Sequence, residues 1–369
     1  MRTAYVVVMF VVTGLCLINE RVIQKYPEKK QQWTLLLFYA LAITVLFTGL
    51  REYTDYIKNF DEYNYRTQFV RFGEAPFSSL ILQDEPLFKI ITHLLFRLTG
   101  SAQLYLFFYA ALTCFLFFSV FKRHSANIPL SVFLFFATSF LFRSMNIMRQ
   151  CFAMAIVAYA LKYAVSKRFI PFTLHVAIAC LIHSSALIML PAYWLANSSL
   201  FSLRIKIVSV AFVVTFLIYT RLIRGIIALF GIIFPKYLST PHMAQLLEGG
   251  EGMNIIRIFV ALVPLILLFY LRHDIERKPI NNFIINMSII GFFMSLLSLR
   301  YNYFQRFVYY FSMYNLLAIP ELLAVMKNKI YKLGKIIELS AYALYSCFIF
   351  IQLPADMPFS NYIINRLNN

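Results

Sequence analysis

The chain is short of charge, and shortest of carboxylates. Only 14% of its 369 residues are charged, and just 16 are Asp or Glu. A water-soluble domain of this length could not cover its surface with so little polarity. No Gly-x-Ser-x-Gly elbow and no Walker-type phosphate loop occurs. His, Cys and carboxylates nowhere take metal-ligand spacing. ATP-driven and metal-hydrolase activities therefore find no support, and neither a metal nor a cofactor is expected. The five cysteines, Cys16, Cys114, Cys151, Cys180 and Cys347, lie in or beside apolar runs and read as small core residues. There is no low-complexity tract and no internal repeat, so the inverted-repeat pattern of secondary transporters is missing.

What the chain has in abundance is apolar length. It is 61% hydrophobic, with a mean hydropathy of +0.71. Apolar runs recur from end to end, the pattern of an all-α polytopic membrane bundle. Spans are expected at 3–19, 34–50, 102–121, 128–142, 151–165, 169–182, 185–197, 205–220, 255–271, 281–299, 307–325 and 336–353, about 12 in all, within a single transmembrane domain over 1–369. Several fall short of the roughly 20 residues a bilayer requires, so tilted, broken or locally thin regions are expected. The stretch 185–197 carries Pro191 and is the least span-like. The run after Arg2 lacks a small-residue cleavage pattern before Glu20-Arg21, which favours a first span over a signal peptide.

The net charge of +18 sits in short clusters between apolar runs. No basic domain exists to hold nucleic acid, and membrane lipid and anionic substrate are the expected partners. With these spans, twelve lysines and six arginines fall on one side, and three lysines and thirteen arginines on the other. The totals barely orient the chain. The lysine ratio places the lysine-rich side in the cytoplasm and both termini outside. Arginine gathered on the outer side then points to phosphate, because the guanidinium fork suits bidentate anion contacts.

Two long segments, about 51–101 and 221–254, lie on the outer side, and loops of that length between spans are usually functional. The first holds seven of the sixteen acids. Within it, Asp84-Glu85-Pro86 has the composition of a helix start. Leu87, Ile91, Leu94 and Leu98 follow at helical spacing, with Lys89, His93 and Arg97 on another face. About 14 residues cover only about 21 Å, too little to cross a bilayer, so an interfacial amphipathic helix with a cationic stripe is expected.

Four stretches carry candidate chemistry. Arg51 and Asp55 sit at the mouth of the second span, as an anion holder and a base or sugar-hydroxyl acceptor. Arg143, Asn146, Arg149 and Gln150 lie between two very apolar spans, where lipid-facing positions would not accept them cheaply. Arg300 and Arg306 repeat the Arg-x5-Arg spacing, and the two turns are expected to converge on one diphosphate. His183 ends the sixth span, as a hydrogen-bonded core residue or as a proton-transfer group. It has no acid near it in sequence. His175 reads as a packing partner in mid-span. Glu321 is expected to pair with nearby lysines.

These pieces resemble the EpsG family of Wzy-type polysaccharide polymerases. The residues concerned are Asp55-Tyr56 with Tyr63, Glu85-Pro86, Asn146 through Arg149-Gln150 to Ala153, Ile182-His183-Ser184-Ser185 with Pro191, and Arg306 opening an aromatic span to Pro320. One departure is Tyr53, where a glycine is expected two residues before the Asp-Tyr pair. The resemblance implies a glycosyltransferase of the bacterial inner membrane. It would join oligosaccharide repeat units carried on undecaprenyl diphosphate at the periplasmic or outer face, with a chain-length regulator and a flippase as partners. On that basis Arg149, Arg306, Arg143 and Arg300, with Arg51, Gln150 and Asn146, are expected to hold the diphosphate and substrate. Asp55, Glu85 or His183 would take the acceptor proton, Asp55 narrowly preferred. The competing functions are a flippase or exporter of the same lipid-linked oligosaccharide, an O-antigen ligase, and a membrane acyltransferase, the last weakened by the absence of an acid beside His183.

Overall fold

A computed structural model describes residues 2–26, 33–52, 61–222, 225, 255–301, 304–325 and 360–361 of the chain. It divides into two compact units, residues 1–190 with 326–369, and residues 191–325. The regular elements among the described residues are helices apart from one two-residue antiparallel ladder, β1 (Arg51–Glu52) with β2 (Ser360–Asn361). Asp55 and the expected span at 336–353 lie outside the described residues.

The first unit opens with α1 (Arg2–Lys25) and α2 (Leu35–Gly49), then α3 (Asp61–Glu74), α4 (Phe77–Ile81) and α5 (Pro86–Thr99). It continues with α6 (Ala102–His124), α7 (Ile128–Ala137), α8 (Phe140–Asn146), α9 (Met148–Tyr159), α10 (Leu161–Val165) and α11 (Phe169–Cys180). A 3-10 turn, Ser184–Ile188, leads into α12 (Met189–Ala196), which carries the boundary between the units. The starts follow local chemistry. Thr34, Ser101 and Asn127 each accept a backbone N–H three residues on, capping α2, α6 and α7. Gly100 closes α5 at φ 59°, a conformation glycine adopts without steric penalty.

α1 packs on α2 and α7, α2 on α6, α6 on α9, and α9 on α11. The filling is aromatic: Phe117, Phe121, Phe135 and Phe140 meet at 5.2–6.1 Å between ring centroids. Tyr5 donates its hydroxyl to the Phe136 carbonyl at 2.9 Å. α3 lies against α5, where the Gly73 backbone approaches the Phe96 ring.

The second unit contains α13 (Leu203–Leu217), α14 (Ile256–Leu271), α15 (Pro279–Ser298), α16 (Gln305–Ser312) and α17 (Asn315–Val325). α15 is its buried centre and packs on the other four. Asn286 on α15 donates to the carbonyls of Ala196 and Ser198. Glu321 accepts from Asn281 at 2.9 Å.

Three described helices, Ala4–Lys25, Ala102–His124 and Pro279–Ser298, are long and apolar enough to cross a membrane, or five spans if each bent pair counts as one. The bent pairs are α7 with α8 (52°) and α16 with α17 (42°). The expected spans up to 307–325 all fall on helices, yet many of these are short or interrupted. In α7–α8 the break is at Ser139, held at φ 59°. α9 is broken off from α8 at Ile147.

α5 is a helix, as its spacing requires, but of its expected cationic stripe only Arg97 is exposed. Lys89 and His93 are buried, turned onto Phe72 of α3, while Leu94 and Leu98 are exposed. Lys89 donates to Asp84 at 2.8 Å and His93 Nδ1 lies 2.9 Å from the Phe72 carbonyl. Leu94 and Leu98 outward, with Lys89 and His93 inward and Arg97 exposed in the last turn, suit a helix at a lipid interface.

Gly73→Ala tests this packing. An added Cβ would overlap the Phe96 ring, so the ring or the helix pair must give way, costing roughly 1–3 kcal/mol. The expected outcome is a lower melting temperature in detergent. An unchanged melting temperature contradicts the close approach of these helices.

Candidate active site

The site is built where two helix ends meet in the first unit. α11 ends at Cys180, and the Leu181 carbonyl accepts from Leu87 N at 3.0 Å and Phe88 N at 3.3 Å. Those N–H groups belong to the first turn of α5 and lack partners within it. Each end thus satisfies what the other leaves open. Pro86 occupies the first helical position, where its missing N–H matters least. The junction fixes Glu85, just before α5, beside His183, just after α11.

Glu85 does not cap its own helix. Its carboxylate turns to the partner helix end and to α9. Oε1 accepts from His183 Nδ1 at 2.7 Å, from Ser184 N at 3.0 Å and from Ser184 Oγ at 3.4 Å. Oε2 accepts from Arg149 Nη1 at 2.9 Å. Its backbone is left-handed, φ 53° and ψ 50°, a conformation that costs a non-glycine residue about 1–2 kcal/mol. The convergent donors hold it there. Burial alone would raise the Glu85 pKa. The His183 hydrogen bond, the Ser184 N–H and the charges of His183 and Arg149 outweigh it and bring the carboxyl down to about 2. Glu85 is therefore ionised across the physiological range. An ionised carboxylate only accepts, so Nδ1 of His183 carries a proton and Nε2 is the ring's remaining acceptor site when His183 is neutral.

Arg149 sits in the first turn of α9. Its guanidinium lies over the Phe88 ring at 5.2 Å, and its backbone N–H reaches Tyr65 Oη at 3.5 Å. Its Nε is buried without a partner among the described residues, and 28% of the side chain is open. Glu85 and His183 are more enclosed, with side chains 7% and 13% exposed. A second network braces this region from behind. Arg51, buried at the end of α2, donates to the Thr48 carbonyl and, at 2.9 Å, to the Met145 carbonyl on α8. Gln103 donates to the carbonyls of Gly49 and Arg51 and accepts from Arg66 at 3.0 Å.

The structure thus brings together Glu85, His183 and Arg149 from three distant stretches. Arg143 and Asn146 are half-buried on α8, and Gln150 is buried beside Arg149 in sequence. Arg300 and Arg306 belong to the second unit. Arg300 lies over the Phe216 ring at 4.6 Å, and Arg306 is exposed. The expectation that His183 lacks an acid is overturned: Glu85, 98 residues away, supplies it. Ser184, Phe88 and Tyr65 were not singled out as site residues. Only Ser184 had a legible signal, its place beside His183.

The EpsG family model matches residues 31–364. The chain belongs to the EpsG family. That family is associated with polysaccharide polymerases, implies a lipid-linked sugar substrate, and fits a membrane protein. No curated protein and no solved structure matches the chain. The family match covers every member of the Glu85 cluster.

A pH dependence follows from Glu85. Its folded pKa, about 2, is below the ordinary 4.5. The stability it contributes is therefore complete above about 4.5 and drains away as pH falls from there towards 2. Thermal melting followed across that window should fall more steeply for the parent than for Glu85→Gln, which has no carboxylate to protonate. Parallel curves would contradict the ion-paired state of Glu85.

Proposed function

We propose that the protein is a polysaccharide polymerase of the bacterial inner membrane, a glycosyltransferase joining oligosaccharide repeat units carried on undecaprenyl diphosphate at the outer face. Family membership supports this, together with one observation: a single ionised carboxylate, Glu85, holds a histidine by Nδ1 and an arginine by Nη1.

In the proposed reaction the growing glycan on its diphosphate lipid is the donor. The acceptor is a hydroxyl at the non-reducing end of a new lipid-linked unit. Its oxygen attacks the donor's anomeric carbon, a C–O bond forms, and the bond to the diphosphate oxygen breaks with its electrons leaving on phosphate. The acceptor proton passes to His183 Nε2. Glu85 keeps the ring in the tautomer that can accept it, and stabilises the imidazolium that results. Glu85 itself is a poor base, because it is held far below the usual carboxylate range and its oxygens already accept from three residues. Arg149 meets the charge that grows on the departing diphosphate, the role a divalent cation plays in many sugar-nucleotide enzymes. Its partly open fork can add phosphate oxygens while Nη1 stays on Glu85. Direct displacement inverts the anomeric centre. Arg143, Arg300 and Arg306 are proposed as further anion holders on their Arg-x5-Arg pattern, and Asp55 as an acceptor-side contact on its sequence position.

A second function deserves its own test, because the His183–Glu85 pair supplies the acid that a membrane acyltransferase needs. It would demand an acyl donor and would not require a diphosphate.

The experiment is glycan extension in liposomes, with lipid-linked units already on the active face, so that a flippase has nothing to contribute. Arg149→Ala should lower the rate by about 10²–10³-fold. Arg149→Lys keeps the charge but loses the fork and should restore only part of it. His183→Asn should cost on the order of 10²–10⁴-fold. Parental rates from correctly inserted Arg149→Ala would refute the diphosphate role, and turnover of an acyl donor would favour the second function.

A further inference from the structure

The proposed reaction leaves unused a cationic cluster at the other end of the helices that carry the site. α9 begins at Met148, beside Glu85, and α10 follows it to Val165. Lys162 therefore stands about 20 Å along the axis from Arg149. α6 runs the same way, from Gln103 near the Arg51 network to Arg123 and His124 at its C-terminus. The turn between α10 and α11 adds Lys167 and Arg168.

Lys162 and Arg168 lie against rings rather than acids. Lys162 Nζ lies over the rings of Tyr159 (4.2 Å) and Tyr163 (4.7 Å). Arg168 lies over the same Tyr163 ring at 5.6 Å. His175 on α11 packs on both tyrosines and holds them in place. The charges of Arg123 and Lys162 both bear on His124. Among the described residues, no carboxylate pairs with Arg123, Lys162, Lys167 or Arg168. Two cations against one ring, with further like charge nearby, repel unless an anion lies among them. The surroundings say what carries that anion. Ile170 and Leu174, one turn apart on α11 directly after Arg168, are 74% and 59% exposed. Trp33, stacked on Phe115, lies under Lys122 and marks the interfacial level. Cations at an aromatic belt above exposed apolar side chains match a phosphate headgroup with its acyl chains below.

We propose that this end of the first unit is a binding site for the phosphate headgroup of an anionic phospholipid, held by Lys162 and Arg168 with Arg123. The site is independent of the polymerase assignment and would exist in a flippase equally well. Bound lipid there would tie the α10–α11 turn to α6 and steady the helix that presents Arg149.

Native mass spectrometry of the full chain, released from bilayers of equal phosphatidylglycerol and phosphatidylcholine, tests it. The parent should retain phosphatidylglycerol in preference to phosphatidylcholine. Lys162→Gln with Arg168→Gln should lower that retention on the order of ten-fold or more. Lys162→Arg with Arg168→Lys keeps the charges and should retain the lipid, which separates loss of binding from loss of fold. Arg204→Gln with Lys206→Gln removes two exposed cations on α13 and should change nothing. Equal retention by the Gln pair at 162 and 168, or an equal loss from the α13 pair, overturns a localised site. Displacement of phosphatidylglycerol by inorganic phosphate at modest concentration would assign the cluster to a free anion and overturn the lipid assignment.

Discussion

The catalytic reading of this protein rests on one buried carboxylate. Glu85 accepts hydrogen bonds from His183, Ser184 and Arg149, groups delivered by the ends of α11 and α9. A buried ionised group is tolerated only when paired and hydrogen-bonded. The donors therefore come first in the physics. Without them Glu85 would take up a proton, its left-handed backbone would have nothing to hold it, and three stretches of chain would lose their meeting point. Sixteen acids in 369 residues make such a centre scarce here.

The surrounding fold serves that meeting point. Complementary helix ends at Leu181 and Leu87–Phe88 set the distance between Glu85 and His183. The Phe88 ring gives the Arg149 guanidinium a face to lie on. Behind it, Arg51 anchors the Met145 carbonyl, so the short helix before Arg149 cannot drift from α2. Arg51 thus has a bracing part, distinct from the anion contact its position in the sequence suggested. The broken helices between Ile128 and Val165 fit this arrangement. A continuous span would carry Arg149 past Glu85, whereas the break at Ile147 starts a fresh helix with Arg149 in its first turn.

How much of this was legible beforehand differs from residue to residue. Helix positions were readable, because apolar runs and caps such as Thr34, Ser101 and Asn127 are local signals. Breaks were less so: nothing in the sequence demands that Ser139 turn left-handed. Arg149 and His183 stand out as polar residues in an apolar setting, and Glu85 as part of a helix start and of the resemblance to the EpsG family. Their association does not, because 64 and 98 residues separate Glu85 from its two partners. The face of α5 follows from the sequence only for Arg97, for a related cause. Helical spacing shows which residues share a face but not which face meets α3, and the packing turned Lys89 and His93 inward.

The most direct test of the Glu85 account is a double-mutant cycle on glycan extension, combining Glu85→Gln with His183→Asn. If Glu85 acts through the histidine, the double variant should be about as slow as the slower single one, because the second change removes a partner already disabled. Losses that multiply would show that the two residues act independently, and would contradict a carboxylate that works by holding His183.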